Sequence, residues 1–400
     1  MEPGSPSVTQ VQPKGHSTSS YIPGLDGIRA IAFLMVFGAH STPGKISLFI
    51  PATLGVTIFF FLSGFLITTL LRKEMIRTGT LSLRNFYIRR TLRIFIPLYV
   101  VYALATAFER LVSSQAPGNG VGFLSMLFYC YNYTNVMHIH AGLPPGLSVI
   151  WSLAVEEHFY ILFPALYLLM ARRLSLAKQM RLLVGFCMLE LIWRIVLVVV
   201  FHQGGNWTYF ATDARLDSIL WGCILALNNN PIFGDTSILP RGREKLTFAV
   251  AVFVLACSLV PRSILYKESF RYSLQALCLY VIFSFILPNI RHWSVRWLEW
   301  TPVRYIGWIS YVLYLCHVFI LDVLTSHFPH KLWLTSPLGL LLSILFATLT
   351  RYTLELPLQR LRARFRPVSE TGPPPPASTA PSSESPSTST NTLVSGSRPA

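Results

Sequence analysis

The sequence predicts an all-α fold, a polytopic transmembrane bundle of about ten spans with both termini in the cytoplasm. Of its 400 residues 52% are hydrophobic and 12% are charged, whereas a soluble domain carries about twice that charged fraction. The apolar residues lie in separate runs, and about twenty such residues cross a bilayer. The net charge of +16 sits mainly in the links between runs. The positive-inside rule explains this placement, so we expect membrane lipid as a partner and no nucleic acid.

Ten apolar runs are long enough to be considered as spans. They lie at residues 24–42, 53–71, 94–112, 150–170, 182–201, 213–228, 246–262, 272–288, 304–325 and 333–354. The first is the shortest, because only residues 30–39 are continuously apolar. We therefore expect this span to tilt, to break or to border a polar cavity.

The aromatic stretch 121–137 is interpreted through the distribution of charge. Five alternate links hold 21 Lys and Arg residues, and the other links hold 5. Placing the 21 in the cytoplasm requires an even number of crossings between residues 94 and 170. We therefore predict that 121–137 does not span alone, and that it is re-entrant, lies at the interface or packs in the outer mouth.

The two ends of the chain differ from its middle in composition. Residues 1–20 and 367–400 are rich in Ser, Thr and Pro, which predicts disordered tails around a transmembrane domain at 21–366. The six cysteines occur singly, mostly inside apolar runs. No zinc-ligand or disulfide spacing is present, so we expect no metal.

Arg29 and His40 are the first candidates for function. They are eleven residues apart in one predicted helix, which places both on one face and roughly 16 Å apart. Titratable groups at such depth are costly and indicate function by default. Asp26 shares this face but lies about 21 Å from His40 in a continuous helix, so we assign it to Arg29.

The second predicted span contains small residues, and the segment that follows it contains cations. Gly55, Ser63 and Gly64 in the second span would let another helix approach closely, which indicates a packing seam that also holds the first span near a site. Arg90 and Arg93 are spaced i, i+3, and such a pair of guanidiniums suits phosphate recognition. Topogenic charge or contact with anionic lipid is an equal alternative.

Adjacent carboxylates occur at Glu156 and Glu157, between Trp151 and Tyr160. Tyr160 is i+4 from Glu156, so the two share a face. A buried carboxylate near a histidine can orient its ring or raise its basicity. The alternative is an interfacial aromatic belt whose polar residues face water.

The segment 212–227 carries Asp213, Arg215 and Asp217 at the start of a span. We expect Arg215 to form an ion pair with one of the two aspartates at a cavity wall. A contact with substrate is the alternative.

Two late pairs follow helical spacing. Tyr314 and His317 are i, i+3 in a segment that also holds Ser310. A histidine on an apolar helix is more often hydrogen-bonded structure than a catalyst, and we assign these three residues a supporting role. Arg351 and Glu355 are i, i+4 and predict a helix-terminal pair.

Five of these motifs, in this order, resemble the acyltransferase-3 family of integral membrane O-acyltransferases, which includes polysaccharide and lipopolysaccharide O-acetylases. The resemblance covers roughly residues 21–360. Its motifs are Leu25-Asp26-Gly27 with Arg29 and His40, the FFxLSGFLI pattern at 59–67, Arg90 with Arg93, Trp151 through Tyr160 with His158 where glutamine is frequent, and Ser310 through His317.

The resemblance implies about ten transmembrane helices and acyl-CoA, commonly acetyl-CoA, as a donor substrate, with no permanently bound cofactor. It implies His40 as the essential active-site histidine and Arg29, Arg90 and Arg93 in donor binding or catalysis. Some members carry a fused hydrolase-like domain that receives the acyl group. Since the last predicted span is followed by a short polar tail, we expect no relay within one chain.

These observations lead to one mechanistic hypothesis. His40 acts as the base on an acceptor hydroxyl of a carbohydrate, glycolipid or small molecule, and Glu156 is its preferred partner by depth. An acyl-histidine intermediate is the rival chemistry. Further contacts are assigned to substrate binding (Glu157, Tyr160, Arg215, Asp217) and to a supporting shell (Asp26, Ser310, Tyr314, His317).

Two other functions fit the same residues. A proton-coupled transporter or flippase of a lipid-linked or acidic molecule would also use intramembrane arginine, histidine and acid groups. A catalytically silent scaffold is disfavoured because the Arg, His and Glu set is intact. In either case we expect an integral protein of the bacterial cytoplasmic membrane.

Overall fold

The computed structural model consists of helices joined by short turns. It describes residues 21–42, 47, 50–112, 119–139, 141–144, 146–234, 238–329, 331–363 and 365. The predicted tails 1–20 and 367–400 lie outside these residues. The α-helices are α1 Leu25–Ser41, α2 Ala52–Thr78, α3 Leu83–Val112, α4 Gly120–Leu127, α5 Tyr131–Val136, α6 Ile150–Arg173, α7 Leu176–Val199, α8 Asn206–Phe210, α9 Leu216–Asn228, α10 Glu244–Cys257, α11 Arg271–Ile286, α12 Thr301–His327, α13 Leu332–Thr350 and α14 Leu356–Ala363. The ranges given above contain no β-strand, which confirms the all-α prediction.

Seven helical stretches have the length and apolar composition needed to cross a membrane. Within the described residues they are Ala52–Thr78, Leu83–Leu111, Leu147–Arg173, Leu176–Val199, Tyr266–Ile286, Thr301–His327 and Leu332–Arg362. Helices α1, α9 and α10 occupy the other three predicted spans with 17, 13 and 14 residues. Because about twenty residues are needed to span, the count of ten and the side of the termini stay predictions.

The stretch 121–137 folds into two short helices, α4 with 8 residues and α5 with 6. The chain breaks between them at Tyr129, whose φ of 55° is left-handed and unfavourable for a side chain of this size. Neither helix is long enough to cross a bilayer. Helix α5 is tied to the start of α9, since Tyr133 donates to Asp213 at 2.9 Å. Burial and the charge of Asp213 raise the pKa of Tyr133 to about 12, which keeps this hydroxyl a donor.

The glycines of α2 hold it against two other helices. A Cβ at Gly55 would lie 2.6 Å from the carbonyl oxygen of Ala32 on α1, and a Cβ at Gly64 would collide with the carbonyl of Ile219 on α9. The predicted packing seam is confirmed at both glycines. Gly307 brings α12 equally close to the backbone of Asp26, so α1 is fixed between α2 and α12.

Candidate active site

Three arginines from two helices line one small cavity. Arg29 on α1 and Arg90 and Arg93 on α3 line a space of about 110 Å³, which we call the arginine cavity. Glu156 and Tyr160 of α6 line the same space. The cavity is lined by three guanidiniums and one carboxylate, so its walls favour an anion.

The polar side chains of the arginine cavity are held by one another. Tyr160 donates to Glu156 Oε2 at 2.6 Å, and Ser63 donates to the same oxygen at 2.9 Å. The Arg90 guanidinium stacks on the Tyr160 ring, with 4.8 Å from its carbon to the ring centre. Arg29 pairs with Asp26 at 3.7 Å, which confirms the predicted partner of Asp26.

A second and larger space, the histidine cavity, has a volume of about 580 Å³ and is lined by His40 at the end of α1. Its walls combine aromatic rings with hydroxyl, amide and imidazole side chains. The rings include Trp151, Tyr209 and Phe210, and the polar side chains are Thr134, Asn135, His138, Ser148 and Asn206. Such a mixture suits a neutral, hydroxyl-rich molecule better than an anion.

The two cavities share a wall formed by Val56 and Tyr314, since both side chains line both spaces. The hydroxyls of Tyr314 and Ser152 are hydrogen-bonded to each other at 2.7 Å. Ser152 lines the arginine cavity and His40 lines the histidine cavity. One layer of side chains therefore separates the arginine cavity from the space lined by the His40 imidazole.

His40 pairs with the late histidine. Its Nδ1 lies 3.2 Å from Nε2 of His317, and Nδ1 of His317 lies 2.9 Å from the backbone oxygen of Tyr314. The predicted pairing of Glu156 with His40 is wrong, because Glu156 bonds to Ser63 and Tyr160 in the arginine cavity. The sequence interpretation ranked partners by depth alone, and depth does not determine which side of a helix faces which neighbour.

Glu157 is separated from the site by helix geometry. Successive residues of a helix point about 100° apart, so Glu157 faces away from Glu156. Its side chain is buried, and its Oε1 has no hydrogen-bond partner among the described residues. Glu157 lines neither cavity, and its assignment to substrate binding stays a prediction.

The predicted ion pair of Arg215 is also wrong. Asp217 is paired with Arg194 of α7 at 2.6 Å, and Asp213 accepts from Trp193 at 2.7 Å. Arg215 stacks on the Tyr272 ring at 3.9 Å and is fully buried, as is Asp217. Both residues lie outside the two cavities, and their contact with substrate stays a prediction.

Other predicted residues fall at the cavity walls, and some functional candidates were missed. Ser310 lines the arginine cavity. Arg351 pairs with Glu355 at 2.7 Å as predicted, but the pair is not helix-terminal, because the helical stretch continues to Arg362. Arg194 was missed, although Glu190 four residues before it in an apolar helix is an ion-pair signal. The sequence analysis also missed Thr134 and Asn135 of α5, which line the histidine cavity. The signal that could have found them is the presence of these polar residues inside the aromatic stretch 121–137.

The helical bundle, with seven stretches of the described residues long and apolar enough to cross a membrane, defines an integral membrane protein. A model of the acyltransferase domain matches residues 22–352, and the chain belongs to this acyltransferase-3 family.

Several bacterial proteins are similar to the chain. It is 28% identical to peptidoglycan O-acetyltransferase OatA of Listeria monocytogenes over 316 residues, which are 76% of this chain and 50% of the relative. It is 30% identical over 362 residues to a Staphylococcus aureus protein named putative O-acetyltransferase, covering 85% of this chain and 58% of the relative. The chain thus spans about half the length of the curated relatives it matches. No solved structure matches it significantly.

Proposed function

We propose that the chain is an O-acyltransferase that moves an acyl group, of acetyl size, from acyl-CoA to a hydroxyl of a carbohydrate or related acceptor. The observation that carries this proposal is the shared wall of Val56 and Tyr314 between a cationic cavity and a cavity lined by a histidine. An enzyme that joins an anionic donor to a neutral acceptor needs two such sites in contact.

The donor is assigned to the arginine cavity. Acyl-CoA carries several phosphate charges, and Arg29, Arg90 and Arg93 offer planar donors that pair with phosphate oxygens. A volume of about 110 Å³ is too small for the whole donor, since sites for drug-sized ligands begin at about 300 Å³. We infer that only part of the donor enters, with its thioester directed toward Tyr314.

The acceptor is assigned to the histidine cavity. Its volume of about 580 Å³ lies in the range of small-molecule sites. Trp151 and Tyr209 offer apolar ring faces, and Asn135 and Thr134 offer hydrogen bonds to hydroxyls. The names of the relatives favour a cell-wall carbohydrate such as peptidoglycan for this position.

The proposed reaction needs only one base, and its atoms and charges balance. His40 takes the proton of the acceptor hydroxyl as its oxygen attacks the thioester carbonyl. The carbon–sulfur bond breaks, the thiolate leaves, and it receives the proton from the histidine. The products are the acyl ester of the acceptor and the free thiol of CoA.

The experiment is a thiol-release assay on purified protein in bilayers, with acetyl-CoA and peptidoglycan fragments. Wild type should release CoA thiol and place labelled acetyl groups on the fragments. His40→Ala should abolish both while leaving the expression level and melting temperature unchanged. The matched control is His327→Ala, an exposed histidine at the end of α12, which should retain full activity.

A transporter or flippase gives a different result in the same assay. A carrier moves its substrate without breaking the thioester, so no thiol would appear with any acceptor. Full activity in the folded His40→Ala variant would reject the assigned base but keep the acyl transfer.

A further inference from the structure

The hydrogen bonds of His317 determine where its proton lies. Its Nδ1 lies 2.9 Å from the backbone oxygen of Tyr314, and a carbonyl oxygen only accepts. Nδ1 of His317 therefore carries the hydrogen. A neutral imidazole has one N–H, so Nε2 of His317 is left with its lone pair as an acceptor.

The same reasoning determines which ring nitrogen of His40 carries the hydrogen. Its Nδ1 lies 3.2 Å from the lone pair on Nε2 of His317. Two lone pairs at this distance would repel, so His40 must carry its hydrogen on Nδ1. The backbone of Val36, one turn earlier on α1, is a second acceptor for His40. Its own lone pair is then on Nε2, the ring nitrogen that is not used in the histidine pair.

The His317 ring is held in this orientation by its surroundings. The side chain is fully buried on α12, and Phe33 of α1 meets it edge to face at 5.7 Å between ring centres. Phe37 packs on it at 6.2 Å. A ring fixed by packing and by a backbone bond can impose one tautomer on a neighbour that is exposed at a cavity wall.

We propose that His317 is a positioning residue that holds His40 in the tautomer with Nδ1 protonated, so that Nε2 is the atom that takes the acceptor proton. This role rests on the proposed acyl transfer. When His40 gains the proton, its Nδ1–H bond to His317 becomes charge-assisted and stabilises the imidazolium. The proton on Nε2 then passes to the leaving thiolate.

The first test reads the tautomer directly and needs no activity. Nitrogen-15 NMR of histidine-labelled protein in bilayers separates protonated from unprotonated ring nitrogens, and comparison with His40→Ala assigns the His40 signals. Wild type should show His40 protonated at Nδ1. His317→Gln, whose side-chain oxygen still accepts, should keep that tautomer. His317→Leu leaves only the backbone of Val36 as an acceptor for His40 and should shift the population toward the form protonated at Nε2.

The second test measures transfer. His317→Leu should lower kcat about 100-fold with the KM for acetyl-CoA unchanged, since a misplaced base loses general-base catalysis. His317→Gln should recover most of this loss, and His327→Leu on the same helix should match wild type. A purely structural role would instead lower the melting temperature and would not distinguish Gln from Leu at equal stability.

The outcomes separate this proposal from the proposed function. A wild-type His40 protonated at Nε2, or a tautomer unchanged in His317→Leu, would overturn the positioning role whatever the activity. Absence of acyl transfer in wild type, with the expected NMR result, would reject the acyltransferase and leave the histidine pair as a structural fact.

Discussion

The arginine cavity and the histidine cavity differ in the chemistry of their walls. Arg29, Arg90 and Arg93 give the first a net positive wall in about 110 Å³. The second is more than five times larger, its hydrogen-bonding groups are hydroxyls, amides and imidazoles, and no Asp, Glu, Lys or Arg is among its described lining residues. Electrostatic attraction selects the ligand of the first, whereas ring faces and neutral hydrogen bonds select the ligand of the second.

The separation of these two chemistries explains the wall between them. A single space holding both ligands would place guanidiniums beside the base and disfavour its protonation during the reaction. Val56 and Tyr314 keep the two environments apart while leaving them adjacent. Substitutions in the arginine cavity, in the histidine cavity and in the wall between them should therefore impair acyl transfer in three distinct ways.

Blocking the wall should have the largest effect of the three. Val56→Phe places a larger ring between the cavities. Because Val56 also lines the arginine cavity, we expect kcat to fall about 100-fold with a smaller change in the KM for acetyl-CoA. Overpacking also costs about 1–3 kcal/mol, so the melting temperature is measured beside the rate.

Two variants control this experiment. Val56→Ala removes volume from the same position and should keep transfer, and Val250→Phe adds the same ring at an exposed site on α10. A folded Val56→Phe variant that transfers at the wild-type rate would contradict a passage at this wall.

Loss of a donor contact should be smaller and confined to one substrate. Arg90→Ala removes a charged hydrogen-bond partner worth about 1.5–3 kcal/mol, so the KM for acetyl-CoA should rise about 10- to 100-fold. The KM for the acceptor should not change. Arg173→Ala, an exposed cation at the end of α6, is the control for loss of charge alone. Equal effects of the two variants would favour non-specific attraction over a built site.

Helix spacing in the sequence predicted the local parts of this site. Asp26 with Arg29 and Arg351 with Glu355 follow from i, i+3 and i, i+4 positions, and both pairs are present. The glycines at 55 and 64 likewise predicted close helix packing. Each of these inferences uses only the geometry of one helix or the size of one side chain.

Contacts between helices that are far apart in the chain could not be predicted from the sequence. His40 and His317 are 277 positions apart, and no periodicity relates them. Asp217 is bound by Arg194, and not by the neighbouring Arg215, because the start of α9 turns the two side chains toward different helices. Which faces meet depends on how α1, α7, α9 and α12 pack together, and one sequence does not state that packing.

The smallest of the three effects should come from the acceptor side. Asn135→Ala removes a neutral hydrogen bond worth about 0.5–1.5 kcal/mol, so the KM for the peptidoglycan fragment should rise about 2- to 10-fold. The KM for acetyl-CoA should stay constant, which is the opposite pattern from Arg90→Ala. Asn85→Ala, on α3 and outside both cavities, is the matched control. If Asn135→Ala raised the KM for acetyl-CoA instead, the donor would extend into the histidine cavity and the assignment of the two spaces would have to be reversed.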